Sequence, residues 1–476
     1  MKDFVAIIGL EVHAQLCTNS KIFCPCSAAS GHSPNANTCP VCMGMPGVLP
    51  VLNRKVVDFG IKLGLALGCT IETHNKFARK NYFYPDLPKG YQITQYANPL
   101  CSSGHLDIEA DGLKKRIGIR RIHMEEDAGK SMHDETKPVS YIDFNRAGVP
   151  LLEIVTEPDI STTQEAVACL KELRQILMYL EICDGSMEEG SLRCDANVSV
   201  MRKDSNRLGT RTELKNMNSF RNVQRALEYE IARQIQRIES GLDVMQETLL
   251  WDISLGKTQP MRSKEESHDY RYFPDPDLIP VIIDDAWIKR IAGTMPELPA
   301  AKRLRFVQQY SIPSYDAQQL SQTSALADYF EQCVYLLKSP KEISNWIMSE
   351  VMRVLNEKGI EIKDLMVTPA KLIELVGLMK KGTVSGLMAK EILTKMADTG
   401  RGAREIIKEL GLEQVSDEDS LKRIIRQIIE ANPREATQYR AGKYQLLGFF
   451  VGEVMKKSKG KANPKVAGDL VKELLS

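Results

Sequence analysis

Hydrophobic and polar positions divide this chain near residue 293. Before that point short β-like runs, Gly/Pro turns and a few helices are mixed. The run Val5-Ala-Ile-Ile-Gly-Leu10 reads as a buried strand. Ser140-Tyr-Ile-Asp-Phe-Asn145 and Ala196-Asn-Val-Ser-Val200 alternate as strands do. Between them the spacing predicts a helix from Thr162 to Leu180. Thr162 and Glu165 form its capping box, and Val167, Leu170, Leu173, Leu177 and Leu180 its apolar face. A second helix is predicted from about Asn222 to Ser240, with Val223, Leu227, Ile231, Ile235 and Ile238 as its stripe. Pro274, Pro276, Pro280, Pro296 and Pro299 then interrupt the chain, and beyond residue 293 the pattern is almost wholly helical. A second boundary is expected at the polar, acidic stretch near residues 400–416. Three domains follow: 1–293, 294–410 and 411–476. The 476 residues are ample for that many cores.

Composition narrows the class. The net charge is +1, so no global field steers the chain to nucleic acid and any basic surface must be local. The start is neither signal-like nor transit-like, and no run is long enough to span a membrane, so a cytoplasmic location is expected. The eleven cysteines are then expected to be reduced.

Four of them cluster. Cys24-Pro-Cys26 and Cys39-Pro-Val-Cys42 offer four soft ligands in two close pairs, which suits a closed, structural zinc site. The alternatives are four buried thiols or an iron–sulfur cluster.

Carboxylates inside or beside apolar runs carry the stronger signal. Glu11 and His13 share one face at the end of the first strand. Glu125, Glu126 and Asp127 are consecutive, and Glu153 interrupts Leu151-Leu-Glu-Ile-Val155. Charges in such settings need partners, and several carboxylates with a histidine suit Mg²⁺ or Mn²⁺ carrying nucleotide phosphates. Arg79-Lys-Asn-Tyr-Phe-Tyr-Pro85 and Asp269-Tyr-Arg-Tyr-Phe-Pro274 set bases beside aromatics, and Lys215 lies in Glu213-Leu-Lys-Asn216. The phosphate loop is absent: Gly129-Lys130-Ser131 and Gly256-Lys257-Thr258 match its end, but Met124 and Trp251 occupy the first glycine position. From Arg434 to Ser476 there are nine Lys/Arg and four Asp/Glu. Lys443, Lys456, Lys457, Lys459 and Lys461 surround an apolar run in which Gly448 and Gly452 permit close approach of another backbone; the readings are a basic patch touching RNA phosphates or a solvated lysine face.

In order along the chain, Ile8-Gly-Leu-Glu-Val-His13, Arg79-Lys-Asn-Tyr-Phe-Tyr-Pro-Asp86, Met124-Glu-Glu-Asp-Ala-Gly-Lys130, Met187-Glu-Glu-Gly-Ser-Leu-Arg-Cys-Asp-Ala-Asn197, Glu213-Leu-Lys-Asn216 and Asp269-Tyr-Arg-Tyr-Phe-Pro274 resemble the B subunit of the tRNA-dependent amidotransferase. The resemblance implies an α+β cradle-shaped kinase domain, like that of glutamine synthetase and guanido kinases, then a helical domain and a helical tail like the YqeY module. It implies that ATP phosphorylates the side-chain carboxylate of Glu or Asp misacylated on tRNA(Gln) or tRNA(Asn), and that ammonia displaces the phosphate. It implies two protein partners: an amidase, the A subunit, which supplies the ammonia, and a small C subunit. On this reading magnesium is held by Glu11, His13, Glu125 and Glu153, with Glu126 as a substitute or supporting group. Lys80, Tyr82, Lys215 and Arg271 contact ATP, and Ser191, Arg193, Asp195 and Asn197 wall the pocket. Zinc on Cys24, Cys26, Cys39 and Cys42 is scaffold, and Lys443, Lys456, Lys457, Lys459 and Lys461 are candidate tRNA contacts. The rival classes are a non-enzymatic zinc-and-lysine RNA scaffold and a ligase acting on a small free acid.

Overall fold

The computed structural model describes residues 3–134, 136–205, 207–261, 269–410, 418–458, 462 and 464–475. It divides into two compact units, Met1–Pro299 and Ala300–Ser476. The first mixes strands and helices; the described elements of the second are helices.

The first unit is built on a nine-stranded sheet. Its strands, in chain order, are β1 (Phe4–Gln15), β2 (Thr70–Ile71), β3 (Cys101–Ala110), β4 (Leu113–Glu126), β5 (Pro150–Thr156), β6 (Leu192–Arg202), β7 (Thr212–Lys215), β8 (Thr248–Asp252) and β9 (Lys257–Pro260). Their spatial order is β9-β8-β7-β6-β1-β5-β4-β3-β2. All pairings are antiparallel except β7 with β8. The first strand thus sits at the sheet's centre and runs to Gln15, two residues past His13. Glu11 and His13 lie within it, because alternation and not continuous apolarity is the pattern of a strand with one buried face.

Phe4, Ala6, Ile8, Leu10, Val12 and Ala14 all point to the buried face. Each large member contributes about 1.5–3 kcal/mol by burial. That face is covered by α1 (Arg54–Ala66), α2 (Thr163–Tyr179) and α3 (Phe220–Glu239). Helix α1 packs on β2, β3 and β4, α2 on β3, and α3 on β6 and on α2. Thr162 caps α2 by accepting the Glu165 N–H at 3.1 Å. The return bond of the expected box goes elsewhere: the Glu165 carboxylate accepts the backbone N–H of Ser161, at 2.8 Å, and Lys115. Ala166, Cys169 and Ile176 share the buried face of α2 with Leu170, Leu173 and Leu177, while Val167 is only half-buried. Helix α3 buries Val223, Leu227 and Ile235 together with the polar Glu230 and Gln234, which bond to Thr212 at 3.0 and 2.9 Å.

Within the second unit one core runs from Phe306 to Ile407 and a separate one gathers Leu421, Ile425, Tyr439, Phe450, Val454 and Leu470.

Candidate active site

The sheet face opposite the helices floors a cleft of about 1480 Å³. Cross-strand register composes it. His13 on β1 lies opposite Glu153 on β5 and Arg193 on β6, and Glu153 lies opposite His123 on β4. Four strands therefore present one row, His123–Glu153–His13–Arg193. Side chains two residues along a strand return to the same face, which brings Glu125, Glu11 and Asp195 beside this row. Lys215 of β7 closes it, with its ammonium 2.7 Å from Asp195 and 2.9 Å from Glu213.

The His13 Nε2 is 3.3 Å from Glu153 and 3.7 Å from Glu125; His123 Nε2 is 3.2 Å from Glu153 and 3.7 Å from Glu125. Thr94 donates to Glu125 at 3.2 Å. Ligand atoms of His13, Glu125 and Glu153 all lie within 4.8 Å of one another. Asp127 is buried and holds Arg193 at 3.0 Å and the Gln15 amide at 2.8 Å.

Charge is unevenly balanced here. Burial, then the fields of Glu153, Glu213 and Asp195, raise the Glu11 carboxyl above its ordinary range, against the pull of Lys215. Burial disfavours the charged form of both imidazoles, but Glu153 and Glu125 outweigh it: His13 is raised and His123 reaches about 9. Glu153, despite its burial, is held well below its usual range by these same histidines. Carboxylates so crowded call for a cation.

Tyrosines wall the cleft. Tyr96 stacks on Tyr272 with centroids 4.1 Å apart, Tyr82 meets Tyr270 edge-on at 5.9 Å, and the Lys80 ammonium lies 4.9 Å from the Tyr270 ring. They come from Ala78–Asn81, Tyr91–Thr94 and Phe273–Pro274, a small separate sheet, and the loops beside it.

Two family models match this chain: the GatB/GatE catalytic domain over residues 6–289 and the GatB domain over residues 328–475. Curated relatives, each named as the B subunit of aspartyl/glutamyl-tRNA(Asn/Gln) amidotransferase, align over nearly all of it. That of Thermodesulfovibrio yellowstonii is 54% identical over 473 residues, covering 99% of both chains. Geotalea daltonii has one 56% identical over 472 residues, covering 98% of both. The chain belongs to the GatB family. The resemblance seen in the motifs is thereby confirmed, and every cleft residue named above falls inside the GatB catalytic match.

Of the residues singled out in this GatB chain, Glu11, His13, Lys80, Tyr82, Glu125, Glu153, Arg193, Asp195 and Lys215 line the cleft. Glu126 does not. It faces the other way from Glu125, as adjacent strand residues must, where the Lys89 ammonium and the Ile93 N–H engage its carboxylate. Ser191 is also outside: its hydroxyl meets the Asp184 carboxylate and the Ser186 backbone in the turn before β6. Arg271 is exposed, with φ of 44°; its backbone N–H donates to the Asp269 carboxylate at 3.0 Å and its carbonyl accepts from Asn81 at 2.8 Å. His123 is absent from the expected ligand set. Its position two residues before Glu125 on one strand is the signal that finds it.

The cysteine sulfurs of Cys24, Cys26, Cys39 and Cys42 also lie within 4.8 Å of one another, and all eleven cysteines are free. The knuckle touches the cleft's back: a Cβ on Gly44, whose φ is 64°, would strike the Lys89 side chain that engages Glu126.

In the tail, Lys456 is exposed and 3.8 Å from Glu453, Lys457 donates to Gln427 at 2.9 Å, and Lys443 reaches Gln438 at 3.4 Å. Lys459 and Lys461 lie outside the described residues. Gly448 and Gly452 do not serve packing within the described residues, because a Cβ on either would meet nothing within 4 Å. No helix among the described residues is long and apolar enough to cross a membrane.

Proposed function

We propose that this chain is the kinase and transamidase subunit of a glutamine-hydrolysing carbon–nitrogen ligase. ATP gives its γ-phosphoryl group to the side-chain carboxylate of Glu on tRNA(Gln) or Asp on tRNA(Asn), and ADP leaves. Ammonia attacks the acyl phosphate, phosphate departs, and Gln-tRNA(Gln) or Asn-tRNA(Asn) remains. The carrying observation is the convergence of His13, Glu125 and Glu153 on one cleft floor, flanked by Glu11 and Lys215, in a chain of this family.

The donor set fits magnesium, since carboxylate oxygens and one imidazole converge to ligand spacing. His13, Glu125 and Glu153 would hold it, with Glu11 alongside. When bound, the ion neutralises charge on the transferred phosphoryl group. The protein's own groups do the rest. Lys80 and Lys215 offer cations to the phosphates of ATP. Tyr82 and the neighbouring tyrosines offer a face for the base. Arg193, held by Asp127, orients an anionic reactant. Ammonia comes from an amidase partner, the A subunit, and a small C subunit makes up the rest of the assembly. This chain carries no Ser-Ser-Lys amidase pattern.

The four cysteines fit zinc, which would hold the knuckle as scaffold. The basic tail, with Lys443, Lys456 and Lys457 at its surface, supports contact with the tRNA backbone. A cradle-shaped kinase fold for the first unit, a division of the helical unit near residue 410, and a cytoplasmic location complete the reading. The two separate helical cores support that division.

The test is to co-express the chain with candidate A and C subunits. The complex is then incubated with Glu-tRNA(Gln), Mg²⁺, γ-labelled ATP and ammonium chloride. Labelled phosphate released together with Gln-tRNA is expected. An intact complex that binds the tRNA but releases neither would sink the reading.

A further inference from the structure

Lys21 is fully buried. Its ammonium has three N–H donors and three contacts: the Asn37 carbonyl at 2.7 Å, the Phe144 carbonyl at 3.3 Å and the Cys42 sulfur at 3.6 Å. None is a carboxylate. Lys302, the other buried lysine among the described residues, has Asp328 at 3.0 Å and Glu331 at 3.6 Å. A buried cation without an anion is costly, and among these contacts the Cys42 sulfur, as a thiolate, is the one that can carry the balancing charge. Four thiolates around one Zn²⁺ carry a net charge of −2, in a site where Cys24 and Cys42 are themselves buried.

We propose that Lys21 is the resident counter-cation of the four-cysteine cluster, a residue outside the ligand set that raises its affinity for a divalent metal by neutralising part of the tetrathiolate charge. The proposal rests on reading the four cysteines as a metal site. The placement of Lys21 is specific. Its backbone N–H donates to the Cys26 carbonyl at 2.9 Å, so it belongs to the first knuckle, while its side chain reaches the sulfur of the second. Gly148, with φ of 83°, lies against its stem. The Phe144–Gly148 loop that receives its second bond also holds Asn37 through Asn145, at 2.7 Å. One ammonium therefore ties both knuckles to their supporting loop.

The experiment uses the full chain, with Zn²⁺ as probe, read by elemental analysis and chelator competition. Wild type is expected to hold one zinc, and Lys21→Met to bind it about 10- to 100-fold more weakly, the usual effect of losing an outer-sphere partner. In a Cys26→His background the cluster charge falls to −1, and Lys21→Met should then cost several-fold less. If Lys21→Met does not fold, Lys21→Gln removes the charge while keeping donors for the carbonyls. A wild-type chain without zinc overturns the metal reading itself. A zinc-loaded wild type with unchanged affinity in the variant overturns the role of Lys21. An equal loss in both backgrounds reduces Lys21 to packing and overturns it as well.

Discussion

His13 and His123 aim their Nε2 atoms at one carboxylate oxygen, Glu153 Oε2, from 3.3 and 3.2 Å. The two histidines are 110 residues apart in sequence and reach this oxygen because β1 and β4 flank β5. Neither is interchangeable with the other. His13 converges with Glu125 and Glu153 to ligand spacing, while His123 is more deeply buried and its Nδ1 has no partner among the described residues. Glu153 thus stands between a candidate ligand on one neighbouring strand and a more deeply buried imidazole on the other.

Replacing either carboxylate of the proposed magnesium set should stop the chemistry and spare recognition. Glu125→Gln or Glu153→Gln is expected to lower amide formation by at least about 100-fold, the scale of losing one electrostatic stabiliser of a transition state. The tRNA dissociation constant should change little. Single-turnover assays with labelled ATP and filter binding of Glu-tRNA(Gln) measure the two properties, and equal damage to both would count against the assignment.

Glu126, next in sequence, should behave differently. It forms a buried pair with Lys89 on the far face, and breaking such a pair costs about 3–5 kcal/mol because one charge stays uncompensated. Glu126→Gln is expected to lower the thermal midpoint sharply while magnesium affinity is kept. The double change Lys89→Met with Glu126→Leu should restore much of the midpoint. Loss of magnesium binding without loss of stability would make Glu126 the substitute ligand after all.

The tail should be separable. Its core, from Leu421 to Leu475, is distinct from the one ending at Ile407. Truncation after residue 410 is expected to weaken tRNA binding and to flatten its salt dependence, since each lost phosphate contact removes about 0.7–0.9 from the log–log slope. ATP-dependent phosphate release at saturating tRNA should persist. A salt slope unchanged by the truncation would exclude the lysines from the interface.

The helical unit carries a pH-dependent brace. Burial favours protonation of Asp316, but bonds from Lys341 at 2.8 Å and Ser344 at 2.6 Å outweigh it, so its carboxyl titrates below its ordinary value. A group with a depressed folded-state pKa stabilises above the unfolded pKa, near about 3.9, and that stability is lost as pH falls through the folded value. Asp316→Asn should therefore cost on the order of 1–2 kcal/mol at pH 7 and progressively less below about pH 4. Thermal midpoints of both chains across that range test this; a difference independent of pH would show that charge plays no part.

Much of this molecule was legible in its sequence because the signals are local. Helix α2 begins after Thr162, as its cap required, and α3 lies within two residues of the predicted span. The cysteine spacing announced a cluster, and the motif strings led to the family that the matches confirm. Where local reading failed, a two-residue period explains why. Glu125 and Glu126 look equivalent in a run of acids, yet a strand sends them to opposite faces, and only the ladder tells which face is the cleft. Ser191 and Arg271 sit in motif strings without their side chains reaching the cleft, because a turn and a left-handed backbone direct them elsewhere.

The sequence by itself determined the division into an α+β part and a helical part, helices α2 and α3 and the Thr162 cap, the four-cysteine set and the family. Those properties depend on neighbours a few residues apart, or on whole motifs. The tertiary structure alone decided which acids share a site. The row His123–Glu153–His13–Arg193 is a product of strand order and register across four strands. So too is the burial of Lys21 against Cys42. Contacts between residues tens to more than a hundred positions apart are set by which strands pair and how they align, and no local pattern in the chain encodes that pairing.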